Sequence, residues 1–127
     1  MMIKSLLIVG YGSIGKRHAR LARELYPNAK IIILRHKKTK KLKNLYINYS
    51  VTNLTDALKF KPDVAVIANP ATHHLNVAQP LADLGVHLFI EKPISSTSRN
   101  VLKLIDTCKL KNSTLMVGYN LRHMESL

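Results

Sequence analysis

The sequence predicts an α/β fold: an open, doubly wound parallel sheet of about six strands with helices on both faces. Three observations lead there. Short apolar runs without polar alternation recur along the chain, as in strands buried on both faces of a parallel sheet. Helix-compatible stretches with recognisable stops separate them. The first run passes through a glycine-rich turn straight into a helix start, the order of a strand–turn–helix unit.

The first strand is the run Ile3 to Val9, and the turn is Gly10-Tyr11-Gly12-Ser13-Ile14-Gly15. Each glycine has a separate job. Gly10 permits the tight turn, Gly12 lets backbone approach a pyrophosphate, and Gly15 lets the helix pack against the strand. Backbone N–H groups at the helix start, at Ser13 and Ile14, then face the phosphates, where aligned peptide dipoles leave a partial positive charge. The unit is therefore read as a Rossmann-type dinucleotide site. Ile14, His18, Leu21, Ala22 and Leu25 fall on one helical stripe, and Pro27-Asn28 ends the helix.

Ala29 to Leu34 forms the second strand, followed by Arg35 and a basic run from Lys37 to Lys43. In dinucleotide folds an acid about 20 residues beyond the glycines bonds the ribose 2′-hydroxyl of NAD, whereas an Arg there accommodates the 2′-phosphate of NADP. Counting 20 residues from Gly15 reaches Arg35, and no acid lies between Glu24 and Asp56. The sequence thus points to NADP, with NAD still possible. A solvated basic loop is the alternative reading of the same run.

Tyr46 to Val51 can form a short strand. Asn53 or Thr55 can cap a brief helix through Phe60, and Pro62-Asp63 separates it from the strand Val64 to Ala68. After the turn Asn69 to Thr72, a helix runs to about Leu84, where Gly85 stops it. Pro80 inside that helix should bend or split it, at a cost near 3 kcal/mol unless packing compensates. The strand Val86 to Ile90 leads into Glu91-Lys92-Pro93. Ser98 then caps a helix from Arg99 to about Lys109, and Thr114 to Tyr119 is the last strand. Right-handed connections throughout give the strand order 3-2-1-4-5-6.

Composition narrows the function classes. A length of 127 residues suits one domain with a proper core, and the hydrophobic content of 46% suits a folded chain. No apolar run approaches the ~20 residues of a membrane span. Met1 leads almost directly into a core strand, so a cytoplasmic protein without signal peptide is expected. Cys108, a single cysteine, excludes an internal disulfide or a cysteine zinc cluster and reads as a half-buried structural thiol. No His, Cys, Asp or Glu cluster has metal-ligand spacing. The net charge of +13 raises nucleic acid as a partner, yet no aromatic-interleaved basic stripe or recognition motif accompanies it. His36, His73 and His123 carry no assigned role.

Four stretches resemble the N-terminal half of the Gfo/Idh/MocA family, which includes glucose–fructose oxidoreductase and inositol dehydrogenases. They are the glycine turn with His18; Ala68-Asn69-Pro70 with His74; Gly85 to Pro93, ending in Glu-Lys-Pro; and Val117-Gly118-Tyr119-Asn120-Leu121-Arg122. The resemblance implies that Asn69, Pro70 and His74 line the cofactor, with Asn69 where relatives often carry Thr. It implies that Glu91 and Lys92 sit at the carboxyl edge of the sheet, and that Lys92 touches cofactor and substrate and assists hydride transfer at a sugar carbon. An ammonium there would stabilise developing alkoxide charge and suit proton transfer. A solvated strand-end lysine and a locally satisfied helix-start histidine are the plainer alternatives for Lys92 and His74.

Family enzymes continue into a second, mostly antiparallel domain that supplies further acid–base residues, holds the sugar and forms oligomer contacts. The resemblance therefore implies a cofactor domain without its substrate domain, inactive alone. A stand-alone dinucleotide-binding module without turnover is the second reading, and an interaction protein using the basic loop is the third.

Overall fold

An unbroken apolar run is stable as a strand only where both of its faces are covered, and four such runs, Leu6 to Val9, Ile31 to Leu34, Val64 to Ile67 and Leu88 to Ile90, make the centre of this sheet. The computed structural model describes residues 2–36 and 46–118. In chain order these form β1 (Ser5–Val9), α1 (Ser13–Leu25), β2 (Lys30–Leu34), β3 (Tyr49–Val51), α2 (Leu54–Leu58) and β4 (Val64–Ile67). A 3₁₀ turn (Ala71–His73), α3 (His74–Asp83), β5 (His87–Glu91), α4 (Val101–Leu110) and β6 (Leu115–Gly118) follow. All pairings are parallel and the sheet order is β3-β2-β1-β4-β5-β6, the predicted one. Central β1 pairs Leu6 with Ile31 on one side and with Val64 on the other.

Strand alternation sends neighbouring side chains to two separate cores. Leu7, Val9, Ile32, Ile67 and Ile90 pack with Ala57 of α2, Leu81 of α3 and Leu104 of α4. Leu6, Ile8, Ile31, Ile33 and Phe89 pack with Ala19 and Ala22 of α1. One face is thus covered by three helices and the other, among the described residues, by α1. Polar ties close the ends. The Asp63 carboxylate accepts from the N–H groups of Lys4 (2.8 Å) and Ser5 (3.0 Å) at the entry to β1. Arg23 donates to the carbonyls of Pro27 (2.9 Å) and Ala29 (2.7 Å) and to Asn48 Oδ1 (2.7 Å), fixing the chain between α1 and β2 to the segment before β3.

Several local expectations are corrected. The buried residues of α1 are Gly15, His18, Ala19 and Ala22, while Ile14 and Leu25 are 48% and 43% exposed. The helix meets the sheet closely through its small residues and the His18 ring, with Leu21 partly buried beside them. Residues 46–48 stay outside β3, whose pairing with β2 begins only at Tyr49. Helix α4 starts at Val101 rather than Arg99, after Asn100 at φ +65°, and Ser98 provides no side-chain cap. Asn53 does cap α2, its side chain accepting from the Asp56 N–H at 2.8 Å. Helix α3 runs through Pro80 as one element; fully buried Ala78, Leu81 and Ala82 flank the proline and hold the helix on the sheet. Cys108 is buried, not half-buried, within the α4 core.

A Cβ at Gly15 would lie 2.1 Å from the Gly10 carbonyl oxygen, both atoms belonging to fixed backbone. Gly15→Ala should therefore cost about 3 kcal/mol or more, as a severe overpacking, and lower the melting temperature by on the order of 10 °C, measured by thermal denaturation.

Candidate functional site

The carboxyl ends of β1, β2, β4 and β5 meet at one edge of the sheet, where the strand order reverses between β1 and β4. In a doubly wound sheet such a reversal opens a crevice, because the connections leave in opposite directions. The first wall is the glycine turn. Gly10 sits at φ +92°, donates its N–H to the Leu34 carbonyl at 2.8 Å, and a Cβ there would lie 2.9 Å from the Asn69 N atom. The loop after β1 is thereby pressed against the loop after β4, and only glycine fits.

Gly12 is different. Its φ of −78° is open to any residue, and a Cβ there would meet no heavy atom of the described residues within 4 Å. Neither backbone nor packing demands a glycine, so the missing side chain leaves room for something from outside the chain. Gly12 is also the N-cap of α1, with no side-chain cap, and no acidic residue in the first turn. The N–H groups of Ser13 and Ile14 therefore begin the helix without a partner among the described residues, at its positive end.

Beside the turn lies a cleft of about 180 Å³, lined among others by Gly10, Leu34, Arg35, His36, Asn53 and Asn69. Arg35 directly follows β2, and its N–H donates to the Val51 carbonyl at 3.1 Å. His36 and His73 approach edge to face, 6.1 Å between ring centroids, a pairing that the sequence did not disclose because 37 positions separate them (73 − 36). Asn69 is 9% exposed, and its Oδ1 has no hydrogen-bond partner among the described residues. A buried amide oxygen without a donor is costly unless a ligand or water supplies one. Pro70 is exposed and precedes the 3₁₀ turn. The lysines from Lys37 to Lys43, and Tyr119 to Arg122, lie outside the described residues.

His74, 2% exposed, has Nε2 2.6 Å from the Asn69 carbonyl and Nδ1 2.9 Å from the Pro93 carbonyl. It joins the loop after β4 to the loop after β5. A neutral ring has one N–H for these two acceptors, and a protonated ring has two. Both nitrogens are engaged by backbone, one five residues back and the other nineteen residues on. Lys92 is exposed at the end of β5, and the following Lys92–Pro93 peptide is cis. Glu91 points the other way, as alternation from Phe89 requires, and is buried against α1, where the His18 ring meets its carboxylate. This pair was the least visible part of the site. His18 entered only as a motif residue and a member of an apolar stripe, and its partner stands 73 residues away. Among the described residues no three His, Cys, Asp or Glu side chains converge on a metal site, and no helix is long and apolar enough to cross a membrane.

A parallel sheet of this order with a phosphate-type glycine turn at its switch point defines a nucleotide-binding α/β domain of the Rossmann class. Residues 4–119 match the family model described as oxidoreductase family, NAD-binding Rossmann fold, and the chain belongs to that family, Gfo/Idh/MocA. It is 26% identical over 120 residues to the uncharacterized oxidoreductase YrbE of Bacillus subtilis, covering 91% of this chain and 35% of that protein. A shorter match, 36% identical over 63 residues, links it to levoglucosan dehydrogenase of Pseudarthrobacter phenanthrenivorans, covering 48% of this chain and 16% of that protein. In fold it superposes on myo-inositol 2-dehydrogenase from Lactobacillus plantarum with a TM-score of 0.77 and 23% identity, covering 91% of this chain and 36% of that one. The chain thus spans about a third of the length of YrbE.

Burial, the largest influence, holds the His18 pKa below its ordinary 6.5, against the hydrogen bond and charge of Glu91. As pH falls through 6.5 the unfolded chain takes up a proton that the folded chain refuses, so stability should drop from that pH downward until the folded ring also titrates. Urea midpoints at about pH 7.5 and about pH 5.5 should differ less in His18→Gln than in wild type, because the variant keeps an N–H for Glu91 and loses the titration.

Proposed function

We propose that the chain binds a nicotinamide dinucleotide across the carboxyl edge of its sheet, prefers NADP to NAD, and serves as the cofactor half of an oxidoreductase acting on a sugar, sugar nucleotide or polyol. The single observation that carries the binding is Gly12: a helix N-cap whose Cβ would project into open space, with unpartnered helix-start N–H groups beside it. Asn69, with its buried and unserved amide oxygen at the adjoining cleft, supports the same reading.

The preference for NADP rests on Arg35. It follows β2 at the place where a 2′-phosphate would be read, it lines the cleft, and the chain offers no acid there. A guanidinium accepts a phosphate through a planar fork of donors, so it rewards the extra phosphate strongly. The nature of the substrate is supported by relatives named for levoglucosan and myo-inositol.

Within this reading the residues divide the work. The N–H groups at Ser13 and Ile14 hold the diphosphate, and Gly10 and Gly15 set the loop that presents them. Asn69 and Pro70 form the floor between the two mononucleotide halves, with His74 holding that floor to Pro93. The bound dinucleotide supplies the hydride acceptor or donor. Lys92, at the sheet edge, stabilises negative charge on a reacting hydroxyl and exchanges its proton. Glu91 shapes that edge from below through its contact with His18. Placing a substrate against Lys92 requires a second wall, which in the family belongs to another domain, so the chain alone is expected to bind without measurable turnover.

Calorimetric titration at moderate salt, which suppresses non-specific attraction to the +13 chain, tests the proposal. Wild type should bind NADPH more tightly than NADH, and absence of binding to both would reject the reading. Arg35→Asp should weaken NADPH by about tenfold to hundredfold and NADH by less than about threefold, because it removes a phosphate partner and adds a like charge. Gly12→Val should abolish both while changing stability by no more than about 0.5 kcal/mol.

A further inference from the structure

Helix α1, which presents the glycine turn, and β5, which ends beside Lys92, are not neighbours through the sheet: β4 lies between β1 and β5. They nevertheless touch directly. His18 lies one turn beyond Gly15 on the buried face of α1, with no exposed surface. Its Nε2 meets Oε1 of Glu91, the last residue of β5, whose side chain is 11% exposed. Phe89, two residues back on the same face of the strand, packs edge-on against the ring at 5.6 Å and 64°. His18 Nδ1 has no hydrogen-bond partner among the described residues, so the ring is committed to Glu91 alone.

A buried polar pair is a poor stability device, since apolar residues of similar volume often serve as well. What it supplies is direction. An apolar contact would let α1 slide over β5, whereas a hydrogen bond to a carboxylate fixes distance and angle together. We infer that His18 is a positioning residue: through Glu91 it fixes the end of β5, and with it Lys92, relative to the glycine turn that seats the phosphates. This inference rests on the dinucleotide-binding reading above. Gly15 locks the first turn of α1 onto β1, and His18 locks the next turn onto β5. Phosphate seat and lysine then form one rigid frame. In a doubly wound fold the half containing β4 to β6 takes the second nucleotide, so loosening this frame should be felt at the nicotinamide end.

The test compares each of NADPH and NADH with the ADP-ribose fragment that lacks its nicotinamide (2′-phospho-ADP-ribose and ADP-ribose), by calorimetry on the full chain. His18→Leu should bind the preferred dinucleotide about tenfold more weakly while its fragment changes by less than about twofold, and His18→Gln, which restores an N–H to Glu91, should stay within about threefold of wild type. His18→Phe, which fills the same volume without a donor, should behave as the Leu variant. Equal losses for dinucleotide and fragment, or a Gln variant as weak as Leu, would overturn the positioning role. So would failure of both Leu and Phe variants to fold, since that makes His18 a structural residue. Wild type that binds the fragment but gains nothing from the nicotinamide also overturns it, whereas wild type that binds neither fragment nor dinucleotide rejects the binding reading itself.

Discussion

The contact between the Gly10 carbonyl and the Cα of Gly15 governs the site. It is backbone against backbone, with no room for a methyl group. Because Gly15 comes so near, the axis of α1 is drawn down onto β1. The helix then meets the sheet most closely through small residues and a flat ring, Ala19, Ala22 and His18, with Leu21 partly buried beside them. The same closeness brings the N-terminus of α1 to the sheet edge, where its dipole and free N–H groups face the crevice. It also brings His18 within reach of β5. The helix N-terminus at the sheet edge, the core contact and the buried pair thus follow from one close approach.

That geometry explains what could be read from the residues and what could not. Strand runs such as Ile31-Ile32-Ile33-Leu34 declare themselves, because unbroken apolarity has few other meanings beside a glycine turn. Asn53 and Gly85 announce a cap and a stop through local chemistry alone. The α1 stripe was misread because periodicity ranks residues by hydrophobicity, whereas a close-packed helix selects by size. Ile14 and Leu25 are apolar but too large for the contact, and Gly15 and Ala19 scarcely register on a hydropathy pattern. Ser98 failed as a cap because the chain turns at Asn100 in the left-handed region instead. His18–Glu91, His36–His73 and the two carbonyls around His74 are long-range meetings. No local rule reports them, although alternation from Phe89 would have placed Glu91 on the α1 face.

Electrostatics divides along the same line. The chain's +13 is a property of the sequence, and it acts at a distance by drawing anions in. Specific recognition requires something else: fixed donors whose partners are missing. In the proposed reading these are the backbone N–H groups at the start of α1, placed by Gly10 and Gly15. Excess charge raises the encounter rate, and the turn decides what is held.

The polar contacts make the distinction sharper. At the opposite, amino edge of the sheet Asp63, Arg23 and Asn48 are engaged within the fold, and at the crevice both nitrogens of His74 face carbonyls. These groups keep loops in place and have little left to offer a ligand. Asn69 differs, since the same short segment that gives its carbonyl to His74 leaves its side-chain oxygen buried and without a donor among the described residues. In the proposed reading that donor arrives from outside, through the cleft that Asn69 lines with Gly10. The crevice is thus defined as much by the contacts this chain withholds from itself as by those it makes.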